Sequence, residues 1–154
     1  MLTDDERSEI EATLPHYPHR RSAAAGAMRI VQRHRGYLSD DALADIGAFL
    51  GLSVDELDSR ATFANMLFRR PVGRHVILIC DSDCCYVMAY EQMRDHICTQ
   101  LGIELGETTP DGRFTFLPIV CLAQCDHAPA MQVDDDFHGD LTPERIDEIL
   151  ARYE

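Results

Sequence analysis

Six cysteines occur in this chain of 154 residues, and four of them fall in two close pairs: Cys80 and Cys85 in CDSDCC, Cys121 and Cys125 in CLAQC. Four residues separate the first pair and three the second, with 35 residues between Cys85 and Cys121. Thiolates spaced this way are soft ligands for a metal. In a 2Fe-2S cluster each tetrahedral iron takes two thiolates beside two bridging sulfides, so two facing loops that each carry a pair complete the set. Structural zinc also uses four thiolates, but its knuckles usually have the shorter C-x2-C gap. A dithiol oxidoreductase needs C-x-x-C at a helix start, which neither pair supplies. Simple burial of free thiols, the common fate of cysteine, does not account for two pairs placed in loops. The spacing therefore favours a 2Fe-2S cluster, with zinc as the rival. Cys84 stands next to Cys85, and spacing alone does not choose between them. Cys98 reads as a small core residue, and His127 beside Asp126 as a solvent-facing loop histidine.

The elements that must position these thiols follow from local signals. Thr3 with Glu6 forms a capping-box pair opening a helix to about residue 13, which Pro15 and Pro18 interrupt. A second helix is predicted over 22–35, stopped by Gly36. Ser39 caps a third, which Gly51 ends, and Ser53 with Glu56 opens a short fourth through Leu57. A boundary is expected near Pro71, where helical periodicity gives way to a β-branched run. A strand over 75–79 then leads into Cys80, and a helix follows Cys85 with Tyr86, Tyr90, Met93, Ile97 and Leu101 on one face. Pro110, Asp111 and Gly112 signal a turn, 113–120 and 130–133 read as strands, and Thr142 caps a terminal helix with Pro143 in its first turn. The expected class is α+β: a helical bundle over 1–70, then a thioredoxin-like α/β domain over 71–154 with the cofactor loops at one edge.

Composition narrows the function. Hydrophobic residues make up 45% and charged residues 27%, an ordinary globular balance. The net charge of -13 argues against nucleic acid or an anionic membrane surface as partner, because phosphate contacts need clustered cations. The apolar runs HVILIC and FLPIVCLA are far shorter than the roughly 20 residues that span a bilayer. The acidic start shows no targeting segment, so a cytoplasmic location is expected. In such a reducing setting six cysteines point to metal or redox chemistry rather than a disulfide framework. No G-x-G-x-x-G fingerprint is present, so nucleotide chemistry is not expected on this chain.

The cysteine loops and their flanks resemble the NuoE family, the thioredoxin-like 2Fe-2S subunit of NADH:quinone oxidoreductase (respiratory complex I). The resemblance runs through ATFANMLFRRPVGRHVI, CDSDCCY, GRFTFLPIVCLAQCDHAP and the tail DLTPERIDEIL. It implies C-x4-C and C-x3-C ligand spacing, hence Cys80, Cys85, Cys121 and Cys125 as ligands, with Cys84 a spacer. It further implies an N-terminal docking segment for a flavin- and NADH-binding, NuoF-like partner whose FMN exchanges electrons with this cluster. The chain would then sit in the peripheral arm of a membrane-bound complex on its cytoplasmic side. In isolation it would lack activity towards NADH and could pair as a homodimer. Similar subunits serve NAD-dependent formate dehydrogenases and NAD-reducing hydrogenases, and these are the alternative hosts; a stand-alone ferredoxin or a structural zinc protein is the more distant alternative. Ala89 and Ala123 occupy positions where family members often carry glycine, so strain is expected if the backbone there has positive φ.

Overall fold

The computed structural model describes residues 1–153. Contacts divide the chain into two compact units, one over Met1–Pro71 and one from Val72 onward.

In the first unit, α1 (Asp4–Thr13) starts on the reciprocal Thr3/Glu6 capping box, and a three-residue 3-10 turn containing Pro15 follows it. A further 3-10 turn leads into α2 (Ala24–Arg35), closed by Gly36 at φ 83. α3 (Asp40–Leu50) is capped by Ser39 and ended by Gly51, and α4 (Val54–Phe63) opens on the Ser53/Glu56 box. α4 runs a turn and a half beyond Leu57 because Leu57 and Ala61, one helical turn apart, are both fully buried. Ile10, Met28, Leu43, Ile46 and Leu57 form the centre of this core. The segment after α4 is tied down by side chains: Gln32 donates to the Met66 carbonyl at 2.9 Å and accepts from the Phe68 N–H at 2.7 Å. Arg69 reaches the Leu38 carbonyl and the carboxylates of Asp40 and Asp58.

The second unit is a four-stranded mixed sheet with helices. Its elements are β1 (His75–Cys80), α5 (Asp83–Val87), α6 (Tyr90–Leu101), β2 (Phe114–Ile119), β3 (Met131–Val133), β4 (Asp136–His138) and α7 (Pro143–Leu150). The sheet order is β2-β1-β3-β4, with β1 and β2 parallel and the other neighbours antiparallel. Ile77 and Ile79 of β1 and Phe114 and Phe116 of β2 pack with Tyr90, Met93 and Ile97 of α6 and Ile146 and Ile149 of α7. Thr142 caps α7 with Pro143 in the first turn, as its sequence predicts.

Two features differ from expectation. The helix expected after Cys85 is two helices: α5 begins already at Asp83, and the chain breaks at Ala89, whose left-handed backbone (φ 72, ψ 32) serves as the N-cap of α6. Tyr86 consequently belongs to α5 and is exposed, stacking on Tyr90 at 6.1 Å between ring centroids. The second feature is β4, which carries no alternating apolar pattern. It is held by a two-residue turn in which Asp134 takes φ 53 and accepts from the Val76 N–H at 2.8 Å, anchoring the turn to β1.

Candidate metal centre

The pairing of β1 with β2 brings the cysteine loops together. Because the strands are parallel and Cys80 is in register with Ile119, both chains leave the sheet at the same end, one into CDSDCC and the other into the loop carrying Cys121 and Cys125. The Asp81 N–H donates to the Ile119 carbonyl at 3.0 Å and the Cys80 N–H to the Ala130 carbonyl at 3.1 Å, so both ends of the second loop are stitched to the first.

The thiols form two unlike groups. Cys80 and Cys85 are buried, whereas Cys84, Cys121 and Cys125 are exposed and Cys98 is half-buried. Cys80 and Cys85 interact with each other, and the Ser82 hydroxyl lies 3.2 Å from the Cys80 sulfur. Burial opposes the Cys80 thiolate, but the Ser82 hydroxyl and the N–H groups of Ser82 and Leu122 outweigh it and lower its pKa. Cys85 is pushed up to about 11, first by burial and then by its neighbour Cys80, and the Ala130 N–H works against this rise. At the exposed group, the Ala123 N–H donates to the Cys121 sulfur at 3.3 Å. Cys125 contacts Cys84 and Cys121, and hydrogen bonding with Cys84 is the leading cause of its raised pKa. Cys84 thus lies beside the second pair, on the exposed face of α5, while Cys85 faces Cys80.

This donor set fits a 2Fe-2S cluster. Thiols come in two pairs from two loops, and backbone N–H groups of Leu122, Ala123 and Ala130 aim at sulfur, as stabilises an anionic sulfur centre. His127 is directed away from this role: its ring bonds Asp140 at 2.9 Å and is more than half exposed. Cys98 packs at the margin of the second core. Ser82 is a participant that motif reading passes over. It occupies the N-cap position of α5 without capping the backbone, because its hydroxyl turns to sulfur instead.

Residues 10–154 match the model of the thioredoxin-like [2Fe-2S] ferredoxin family. The chain belongs to that family. It is also similar to the E subunit of the NADH-quinone oxidoreductase of Pseudomonas aeruginosa, 46% identical over 99% of this chain and 92% of that protein. The corresponding protein of Escherichia coli K12 is 44% identical over 99% and 92% respectively. Among solved structures, an NAD+-reducing [NiFe]-hydrogenase in the air-oxidised state superposes with TM-score 0.72 and 24% identity over 84% of this chain and 22% of that chain, which shows the shared fold. As a member of this 2Fe-2S family the chain carries a 2Fe-2S cluster and works as a subunit of a larger complex.

Within the family frame, the two alanines expected to be strained are so. Ala89 has φ 72 and Ala123 has φ 56, both in the left-handed region that disfavours a Cβ. Ala89→Gly and Ala123→Gly are each expected to raise the thermal midpoint. Relief of about 1–2 kcal/mol of backbone strain exceeds the roughly 0.5–1 kcal/mol of added unfolded-chain entropy. Differential scanning calorimetry of the cluster-loaded chain checks this, and an unchanged or lowered midpoint in both variants would contradict it.

Proposed function

We propose that this chain is the electron-transfer subunit of an NADH-quinone oxidoreductase, holding its 2Fe-2S cluster on Cys80, Cys85, Cys121 and Cys125 and receiving single electrons from the FMN of a NuoF-like, NADH-binding partner. The observation that carries the ligand assignment is the register of β1 against β2, which delivers the two cysteine pairs side by side at one end of the sheet. The host assignment draws on relatives of 44–46% identity over nearly the full chain, each of them the E subunit of such an enzyme. The first unit, Met1–Pro71, serves as the docking segment for the flavoprotein, since four helices with their own core add nothing to holding a cluster. No helix among the described residues is long and apolar enough to cross a membrane. On this host assignment, which rests on the relatives and not on that absence, the chain lies in the peripheral arm, on the cytoplasmic side.

When bound, the cluster supplies reversible one-electron chemistry at fixed geometry. The chain's own residues set the conditions. Cys80 and Cys85 grip from a buried, low-dielectric wall, Cys121 and Cys125 from an exposed loop, and the N–H groups of Leu122, Ala123 and Ala130 offset negative charge on sulfur. Asp81, Asp83 and Asp126 surround the loops but are all exposed, so solvent and salt screen them. Asp83→Asn is therefore expected to raise the midpoint potential only modestly, by at most about a few tens of millivolts, and more at low salt than at high. A redox titration at two ionic strengths reads this; a downward shift would refute the charge argument.

The deciding experiment is anaerobic purification with iron and zinc quantified on one sample, a visible spectrum, and EPR after dithionite reduction. A reddish-brown chain with about two irons and a rhombic signal is the expected result. A colourless chain with about one zinc would overturn the electron-transfer reading. Mixing with the flavoprotein subunit should then give NADH-driven reduction that neither the chain alone nor a Cys125 variant supports.

A further inference from the structure

Cys125 sits in the least self-supporting part of the site. Its 3-10 turn, Cys125–His127, is three residues long and contains no buried residue. What holds it is a strap from the far side of the sheet. The Asp140 N–H donates to the His127 carbonyl at 2.7 Å, the Asp140 carboxylate bonds the His127 ring at 2.9 Å, and the Leu141 N–H donates to the Pro129 carbonyl at 3.1 Å. Gly139 lies so close that a Cβ there would stand 2.4 Å from the His127 Cβ and 2.7 Å from the His127 carbonyl oxygen. Real side chains do not tolerate such distances, so any other residue forces the two backbones apart. Asp140 itself takes φ 51, a conformation that aspartate tolerates better than most residues, and this turns its N–H and carboxylate onto the same partner. The strap is rooted firmly: Leu141 is buried in the second core and Thr142 caps α7.

We propose that Gly139 and Asp140 are positioning residues for the cluster, clamping the His127 backbone and with it the turn that carries Cys125. The inference rests on Cys125 being a ligand. His127 and Asp140 are each more than half exposed, so their pairing adds little to global stability. Its effect falls on the geometry and lifetime of the site, as contacts that orient metal ligands do.

The test uses the full chain purified with its cluster, reading decay of visible absorbance under excess iron chelator, the EPR g values of the reduced sample, and the thermal midpoint. Gly139→Ala and Asp140→Ala are each expected to shorten the cluster lifetime by about ten-fold or more and to shift the g values, with only a modest fall in the midpoint for Asp140→Ala, because alanine tolerates φ 51 less well than aspartate. Asp140→Asn keeps an oxygen acceptor for His127 and should restore both readouts. Wild-type lifetime and g values in Asp140→Ala would overturn the proposal. So would an Asp140→Asn variant as impaired as Asp140→Ala, since the charge and not the clamp would then be responsible. Should Gly139→Ala fail to fold, the two Asp140 variants decide alone. A wild-type chain without iron would overturn the cluster assignment rather than the clamp. The clamp is then read from the alkylation rate of Cys125 in the metal-free chain, which Asp140→Ala raises several-fold if the strap holds the turn and leaves unchanged if it does not.

Discussion

Cys85→Ala should leave the chain with less than about a tenth of its iron, while Cys84→Ala should keep the full complement, a visible spectrum like the parent's and the same rhombic EPR signal. The two thiols are neighbours in sequence and opposite in environment. Cys85 is buried against Cys80 with the Ser82 hydroxyl and the Ala130 N–H directed at it, whereas Cys84 is exposed on the outer face of α5. Losing one of two thiolates on an iron leaves that iron without a closed tetrahedral site. Losing Cys84 removes an exposed thiol that contacts Cys125. Iron analysis on chains of matched circular dichroism separates a missing ligand from a misfolded one. The opposite pattern, iron kept in Cys85→Ala and lost in Cys84→Ala, would require a different ligand set.

The second large effect lies in the first unit. Arg35→Ala is expected to destabilise that unit by roughly 3–5 kcal/mol, because it strands a buried charge. Glu6 is 1% exposed, yet it closes the capping box of α1 and receives a bidentate pair of bonds from Arg35, both at 2.7 Å, while Arg35 also bonds Asp45 at 3.1 Å. The Arg35 hydrogen bonds, against the opposing cost of burial, hold the Glu6 pKa down to about 2 from an ordinary 4.5. A depressed carboxyl contributes stability that is fully present above the unfolded-state pKa and lost as pH falls through the folded one. The parent chain should therefore lose on the order of 3 kcal/mol between about pH 4.5 and pH 2 through this group. In Arg35→Ala that dependence should disappear or reverse, since an unpaired buried carboxyl favours its protonated form. Chemical denaturation followed across this pH range reads both statements. A parent-like stability for Arg35→Ala at neutral pH would show that the pair contributes nothing net.

Much of the fold is legible in short stretches of sequence. The capping boxes at Thr3/Glu6 and Ser53/Glu56, the stops at Gly36 and Gly51 and the Thr142-Pro143 start are signals whose partners lie within four residues, and each marks a helix end in the structure. Strand boundaries agree to about a residue where β-branched runs mark them. The helix after Cys85 reads as one rather than two because Ala89 carries no local sign of a left-handed conformation. β4 is not legible because three residues without an apolar pattern, Asp136–His138, pair through an anchor made by Asp134 to β1, more than fifty residues away in sequence.

Residues close together along the chain set the chemistry on offer: four thiols in two pairs, their spacing, and the strand–loop–helix frame around them. How those thiols differ follows from contacts between segments far apart along the chain. Parallel pairing of β1 with β2 across nearly forty residues puts both loops at one end of the sheet. Packing then buries Cys80 and Cys85 while leaving Cys84, Cys121 and Cys125 exposed. The strap from Gly139 and Asp140 is of the same kind. Burial, register and backbone-to-backbone clamping depend on which distant segments meet, and no local propensity encodes that meeting.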